Sequence, residues 1–232
     1  MRARPRRPRH PLRWLVGALA AIVVAAVAVP YAYIHFVEGN APAALSVTAG
    51  SAPATATGNV DGRWQVTQGS QAGYRVGEVL AGQNQTAVGR TNDVTGQLTV
   101  ANGTVSAARF TVNLGTVKSD QSRRDAQFRG RIMDTVKYPT AVFVLAKPIP
   151  LGRLVSAAGT STLQAAGTMT LHGTSRQVNV PLTVARNGAS VQVSTQVPVL
   201  FANYGIANPS FAGFVQTQNH GTVEVLLHLA KA

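Results

Sequence analysis

Residues 94–114 read V-T-G-Q-L-T-V-A-N-G-T-V-S-A-A-R-F-T-V-N-L, and this stretch decides the fold. Val94, Gly96, Leu98 and Val100 alternate with polar residues up to Asn102-Gly103, and Phe110, Val112 and Leu114 resume the alternation beyond it. A period of two places successive side chains on opposite faces of a strand, and Asn-Gly supplies the positive φ angles of a two-residue hairpin turn. The stretch predicts an antiparallel hairpin with one apolar and one polar face.

The same rhythm extends in both directions. Trp64/Val66 and Tyr74/Val76 precede it, and residues 141–146 are nearly continuous apolar sequence, which fits a strand covered on both faces. Met169 and Leu171 lead to a turn at His172-Gly173-Thr174-Ser175. Val178, Val180, Leu182 and Val184 follow, up to a second Asn-Gly at 187–188. Val191, Val193, Val197 and Val199 continue to Phe201, and Val223, Val225, Leu227 and Leu229 close the chain. Roughly eight strands in about 170 residues, joined mostly by hairpins, predict an all-β antiparallel barrel or sandwich. Such a domain buries about 70% of its unfolded surface and needs no metal or disulfide. Polar residues on the alternate face set it apart from an outer-membrane barrel.

The rhythm breaks once, at residues 119–139, S-D-Q-S-R-R-D-A-Q-F-R-G-R-I-M-D-T-V-K-Y-P. Charge is dense there, in a chain whose charged content is 12%. Ser122 precedes Asp125 at the spacing of a capping box, so the segment predicts a short helix with Phe128 and Ile132 on one face. Gly130 weakens that helix, which must therefore pack on the sheet.

Outside the strands the N-terminus stands apart. Arg2, Arg4, Arg6, Arg7, Arg9 and Arg13 carry six of the +13 net charge, with no acid before Glu38. They run into W-L-V-G-A-L-A-A-I-V-V-A-A-V-A-V-P-Y-A-Y-I at 14–34, which holds no charge. About 20 helical residues cross a hydrocarbon core, so residues 14–36 predict a transmembrane helix behind a basic cytoplasmic arm at 1–13. The positive-inside rule then places the rest of the chain outside the cytoplasm. A cleaved signal peptide with Ala26-Val27-Ala28 as its site is the alternative. Arginines abutting an apolar run fit topology better than nucleic-acid binding. Residues 37–62 are rich in Ala, Pro, Gly, Ser and Thr and predict a flexible linker, with Leu45 and Val47 as an outlying strand if any. The domain proper is expected at 63–232.

Catalytic signatures are missing. The chain has no cysteine, which excludes disulfides, thiolate metal sites and cysteine nucleophiles. It has no Gly-x-Ser-x-Gly elbow, no phosphate-binding loop and no dinucleotide fingerprint. His172, His220 and His228 lack metal-ligand spacing, and nothing in the spacing of Asp93, Asp120, Asp125 and Asp134 pairs them for acid–base work. No enzyme activity, metal or cofactor is expected. A barrel without catalytic groups can still enclose an apolar ligand, whereas a packed sandwich would serve as an interaction domain.

Several segments occur in a telling order: Trp64-Gln65-Val66-Thr67, S-D-Q-S-R-R-D at 119–125, M-D-T-V-K-Y-P at 133–139, G-T-M-T-L-H-G-T at 167–174, and Tyr204-Gly205-Ile206 with Asn208-Pro209-Ser210-Phe211. In combination they resemble the YceI-like family of polyisoprenoid-binding, lipocalin-like proteins, in particular its membrane-anchored actinobacterial members. The resemblance covers residue 63 to the C-terminus. It implies an eight-stranded antiparallel barrel with one short helix and a tunnel holding a long isoprenoid lipid, such as a quinone or polyprenyl phosphate. The tunnel wall is then expected at Phe110, Val112, Leu114, Phe143, Leu145, Met169, Leu171, Val197, Val199 and Phe201, closed by Phe128 and Ile132. Arg123, Arg129 and Arg131 are candidates for an anionic head group, because guanidinium pairs bidentately with phosphate. Arg124 and Asp125 match the family's Arg-Asp positions, where an ion pair or loop anchor is implied. Tyr74 stands where many members have phenylalanine, and Gln218, Asn219 and His220 stand where many have acids. A ligand-free cell-envelope stress or interaction domain is the alternative function.

Overall fold

The computed structural model describes residues 11–33, 41–48, 59–80, 82–152, 160–187, 190–210 and 215–232. The chain divides into two units, Met1–Asn40 and Ala41–Ala232. In the first, Pro11–Tyr33 is a helix, α1. Among the described residues no helix is long and apolar enough to cross a membrane. The span expected at 14–36 is therefore described only as a helix as far as Tyr33, and residues 1–10 of the arm expected at 1–13 lie outside the described residues.

The second unit is a closed antiparallel barrel of eight strands, several of them bent into two segments. The segments are β1 (Gly62–Val66), β2 (Gln71–Leu80), β3 (Gln83–Thr91), β4 (Val94–Ala101), β5 (Thr104–Asn113), β6 (Thr140–Leu145), β7 (Ile149–Pro150), β8 (Thr160–Leu171), β9 (Thr174–Asn187), β10 (Ser190–Leu200), β11 (Val215–Thr217) and β12 (His220–Lys231). Around the wall the order is β1-β4-β5-β6-β8-β9-β10-β12, and β12 returns to β1. β2 extends β1 along β12, and β3 extends β4 along β2. At the bend between β1 and β2, the buried Ser70 donates its hydroxyl to Thr67 O (2.9 Å) and accepts from His228 N (2.9 Å), so the break in the ladder stays paired.

The hairpin read from residues 94–114 is present, with Asn102 at φ 52° and Gly103 at φ 68°. His172 (φ 50°) and Gly173 (φ 73°) form a second two-residue turn, between β8 and β9. The turn expected at Asn187-Gly188 falls partly outside the described residues. β6, expected to be covered on both faces, is half-buried throughout.

Two local expectations change. The helix α2 covers only Ser122–Gln127, and its N-cap is Gln121 without a side-chain cap. Asp125 does not form a capping box. Its carboxylate accepts from the N–H and the hydroxyl of Ser119 instead, each at 2.7 Å. The chain then widens into a single π-helical segment, Phe128–Ile132, whose Phe128 and Ile132 both pack on the core.

The linker expected over 37–62 is not free where it is described. Residues 59–61 join the barrel: Trp64 Nε1 donates to Val60 O (2.8 Å), and Asp61 Oδ1 accepts from Gly103 N (3.0 Å). Residues 41–48 form no strand but lie as a strap on the outer wall, with Leu45 buried. Under the strap sits Glu224, 0% exposed. It accepts from Arg90 Nε (2.9 Å), Arg90 Nη2 (2.8 Å) and Leu45 N (3.3 Å). Arg75 donates to Pro42 O (2.6 Å), Arg90 also donates to Ala43 O, and Thr48 N donates to Gln192 Oε1 (3.0 Å).

Candidate functional site

The inward faces of the strands enclose a cavity of about 230 Å³ along the barrel axis. On β12, Val223, Val225, Leu227 and Leu229 face it in succession, which gives it a length of roughly 20 Å. Its lining is almost wholly aliphatic and aromatic. Thr195 is polar, but its hydroxyl is engaged with Pro181 O (2.7 Å). Arg186 is the one charged side chain among the described residues that line the cavity. It sits half-buried towards the end of the barrel that holds the Asn102-Gly103 turn.

The wall is shaped by where side-chain volume is withheld. A Cβ at Gly167 would come within 2.3 Å of the Phe143 ring, so the bare backbone there lets Phe143 lie flat across β8. Gly89 does the same for Tyr74, with 2.4 Å to Cε1.

Of the twelve residues expected at the tunnel wall, Phe110, Val112, Phe143, Leu145, Met169 and Val197 line the cavity. Leu114, Phe128, Ile132, Leu171, Val199 and Phe201 do not. They belong to the core at the helical end of the barrel, together with Met133, Tyr204 and Ile206, and plug it. Leu171 and Val199 have the inward parity of the wall but lie beyond the cavity along the axis, whereas Leu114, Phe128, Ile132 and Phe201 belong to helical turns. Trp64, Leu98, Leu163, Leu182 and Val193, together with the inward residues of β12, are lining residues absent from the expected set. The signal for them was the same alternation, and Arg186 continues the inward run Val178, Val180, Leu182, Val184 by one more step.

The charged stretch belongs to the plug. Arg124 bridges Glu78 (3.0 Å) and Asp120, tying α2 to β2. Burial works against the charged guanidinium, yet the Glu78 and Asp120 carboxylates outweigh it and hold its pKa above the ordinary value. Arg123 and Arg129 do not line the cavity, and Arg131 donates to Pro209 O (3.2 Å). None of the three borders the cavity. Tyr138 meets the His172 ring edge-on (4.7 Å), and His172 Nδ1 lies 3.2 Å from Tyr204 O, which joins the remaining motif segments in the same plug. Among the described residues no group of three or more His, Asp or Glu side chains could hold a metal ion.

Tyr74 stacks on Phe128 with ring centroids 5.0 Å apart. Burial pushes its phenol well above the usual range, against the lowering pull of Arg124. A folded-state pKa raised above the unfolded value of about 10 contributes stability that is complete below that pH and is lost as pH rises towards the folded pKa. The denaturation midpoint should therefore fall above about pH 10 as the unfolded chain ionises. Tyr74→Phe should flatten that fall in urea titrations at rising pH, leaving the smaller contribution of Tyr204, also raised by burial. An unchanged alkaline slope in the variant would contradict this reading.

A closed barrel with an apolar axial cavity and one plugged end has the shape of a container for a slim apolar molecule. The YceI-like domain family model matches residues 64–229, and the chain belongs to the YceI-like family. Among solved structures it is similar to a polyisoprenoid binding domain from Saccharophagus degradans implicated in plant cell wall breakdown. That similarity has a TM-score of 0.58 at 15% identity, over 73% of this chain and 98% of that one. It is also similar to BcnA of Burkholderia cenocepacia, with a TM-score of 0.52 at 21% identity, over 68% of this chain and 96% of that one. At these identities both bear on the fold. No curated protein matches the sequence.

Proposed function

We propose that this protein binds a long isoprenoid lipid in the barrel, as a store or carrier, and does no chemistry on it. The observation that carries the reading is the cavity along the axis, whose lining is almost wholly apolar over roughly 20 Å. Each methylene buried there contributes about 0.8 kcal/mol, so tight binding needs no catalytic or strongly polar group. Membership of the YceI-like family and the ligand class of the Saccharophagus degradans domain favour an isoprenoid over other apolar chains.

A quinone or a polyprenyl phosphate fits this chemistry. That Arg186 borders the cavity, as Arg123, Arg129 and Arg131 do not, supports it as the cation that meets a phosphate or quinone oxygen. Placement outside the cytoplasm beside a membrane rests on the sequence, through six arginines followed by 21 uncharged residues. A tethered barrel would stay near the bilayer that supplies such lipids.

One preparation tests both parts. The full-length chain is expressed in a bacterium, its membranes are washed with carbonate, and the purified protein is extracted with organic solvent for mass spectrometry. A stoichiometric isoprenoid from protein retained by the washed membranes is the expected result. Release of the protein into the wash would remove the anchoring part. An extract that stays empty after incubation with quinones and polyprenyl phosphates would remove the lipid part and leave an interaction domain.

A further inference from the structure

The wall of the barrel is not uniformly laced. β8 and β9 pair at twelve positions and β10 and β12 at eleven, but β9 and β10 pair at only five, from Ser190↔Asn187 to Ser194↔Thr183. Beyond that point residues 174–182 and 195–200 continue as strands held only by their outer neighbours, with no ladder between them. Each unlaced edge contains a proline, Pro181 and Pro198, and proline within sheets belongs where no ladder bond is needed.

Two hydrogen bonds bound this seam. Thr195 donates to Pro181 O (2.7 Å) at the laced end, and Arg176 Nε donates to Asn203 O (2.9 Å) at the plug. Between them the wall is shut by side chains alone. Val180 and Val197 are buried and line the cavity, and Val199 is buried beside them. Outside, the lips carry the exposed Pro181 and Pro198 and Leu200, which is 42% exposed.

We propose that this seam between β9 and β10 is the portal through which the isoprenoid chain passes into and out of the cavity, a step that rests on the lipid-binding reading above. Parting any laced pair of strands would break a row of backbone hydrogen bonds and leave the freed groups unsatisfied. Parting the seam breaks no backbone pair and at most the two side-chain bonds that bound it, and the apolar packing of Val180 and Val197 across it gives way to packing against the lipid itself. A chain laid in sideways also avoids threading its full length through the barrel end-on, with each segment moving from one apolar surroundings to another.

The absence of native cysteine makes the test direct. In full-length protein, Asn179→Cys with Pro198→Cys places a thiol on each outer lip, to be joined by a cleavable bifunctional maleimide. Thr168→Cys with Gln177→Cys is the control. These residues face each other across the laced β8–β9 pair, where Gln177 Nε2 donates to Thr168 Oγ1 at 2.8 Å. The readout is the rate of uptake of a polyprenyl phosphate from phosphatidylcholine vesicles, with cross-linking verified by mass. Joining the lips should slow uptake by about tenfold or more, cleavage of the linker should restore it, and the control should change the rate by less than about twofold. An unchanged rate in fully cross-linked seam protein, or equal slowing in the control, overturns the portal while lipid binding stands. Failure of the protein without a cross-link to take up any isoprenoid overturns the lipid-binding reading, and the portal with it.

Discussion

Glu224→Ala should lower the free energy of unfolding by about 3 kcal/mol, the low end of the range for breaking a buried ion pair from one side. At about 2–4 °C per kcal/mol for a chain of this size, the melting temperature should drop by about 6–12 °C. The carboxylate is fully enclosed, while the Arg90 and Arg75 side chains are 21% and 24% exposed. Removing the anion leaves two partly shielded guanidinium groups beside each other at the strap, where each keeps a strap carbonyl and some water, hence the low end. Arg75 Nε, 3.6 Å from Glu224 Oε2, is within ion-pair but not hydrogen-bond distance, so most of the loss falls on the two short Arg90 contacts. The Leu45 N–H loses its acceptor at the same time, and the strap should loosen. Replacing Arg90 as well, as Arg90→Met with Glu224→Leu, should recover part of the loss, because only Arg75, which keeps its bond to Pro42 O, is then left without the carboxylate. Urea unfolding of the three proteins measures it. A Glu224→Ala variant within about 0.5 kcal/mol of the parent would show that the strap and its ion pairs contribute nothing to the fold.

This network also marks where the sequence was silent. Glu224 sits on the outward parity of β12, where a glutamate reads as an ordinary solvated residue. Only the strap, drawn from a segment whose composition signals a loose linker, makes it buried. Alternation reports which face a residue takes, and it did so for β5, β8, β9, β10 and β12. It carries no information about height along the barrel axis. For that reason Met169 and Leu171, two residues apart on the same face, divide between cavity and plug. The motif segments around Arg124, Tyr138 and His172 stood out because their charges and turns broke the strand rhythm. The structure gives that a physical reason, since they assemble the plug, where loops rather than strands must satisfy their backbone groups. Trp64 and Met169 apart, the tunnel is built mostly from valine, leucine and other apolar residues at positions no motif distinguishes, because an apolar chain asks only for apolar surface.

Val225→Trp should reduce bound isoprenoid to background while leaving the lipid-free protein within about 1 kcal/mol of the parent in stability. Val225 faces the middle of the cavity from β12, opposite Thr195 on β10 and Ala72 on β2. In a filled core the added ring would force neighbours off their rotamers at a cost of about 1–3 kcal/mol. In an open cavity it occupies space that is otherwise the ligand's. Excluding about five carbons of a chain, at about 0.8 kcal/mol each, removes about 4 kcal/mol of binding, or roughly a thousandfold in affinity. Leu171→Arg should behave in the opposite way. Leu171 is 6% exposed in the plug, where an unpaired guanidinium has no partner, so the protein should lose stability whether or not lipid is present. The pair separates a container from a dry barrel, because a dry core would make both substitutions destabilising. Extraction and mass spectrometry give the occupancy, and urea unfolding of delipidated protein gives the stability. Should Val225→Trp destabilise the empty protein as strongly as Leu171→Arg, the axial space would be a packed interior and not a binding site.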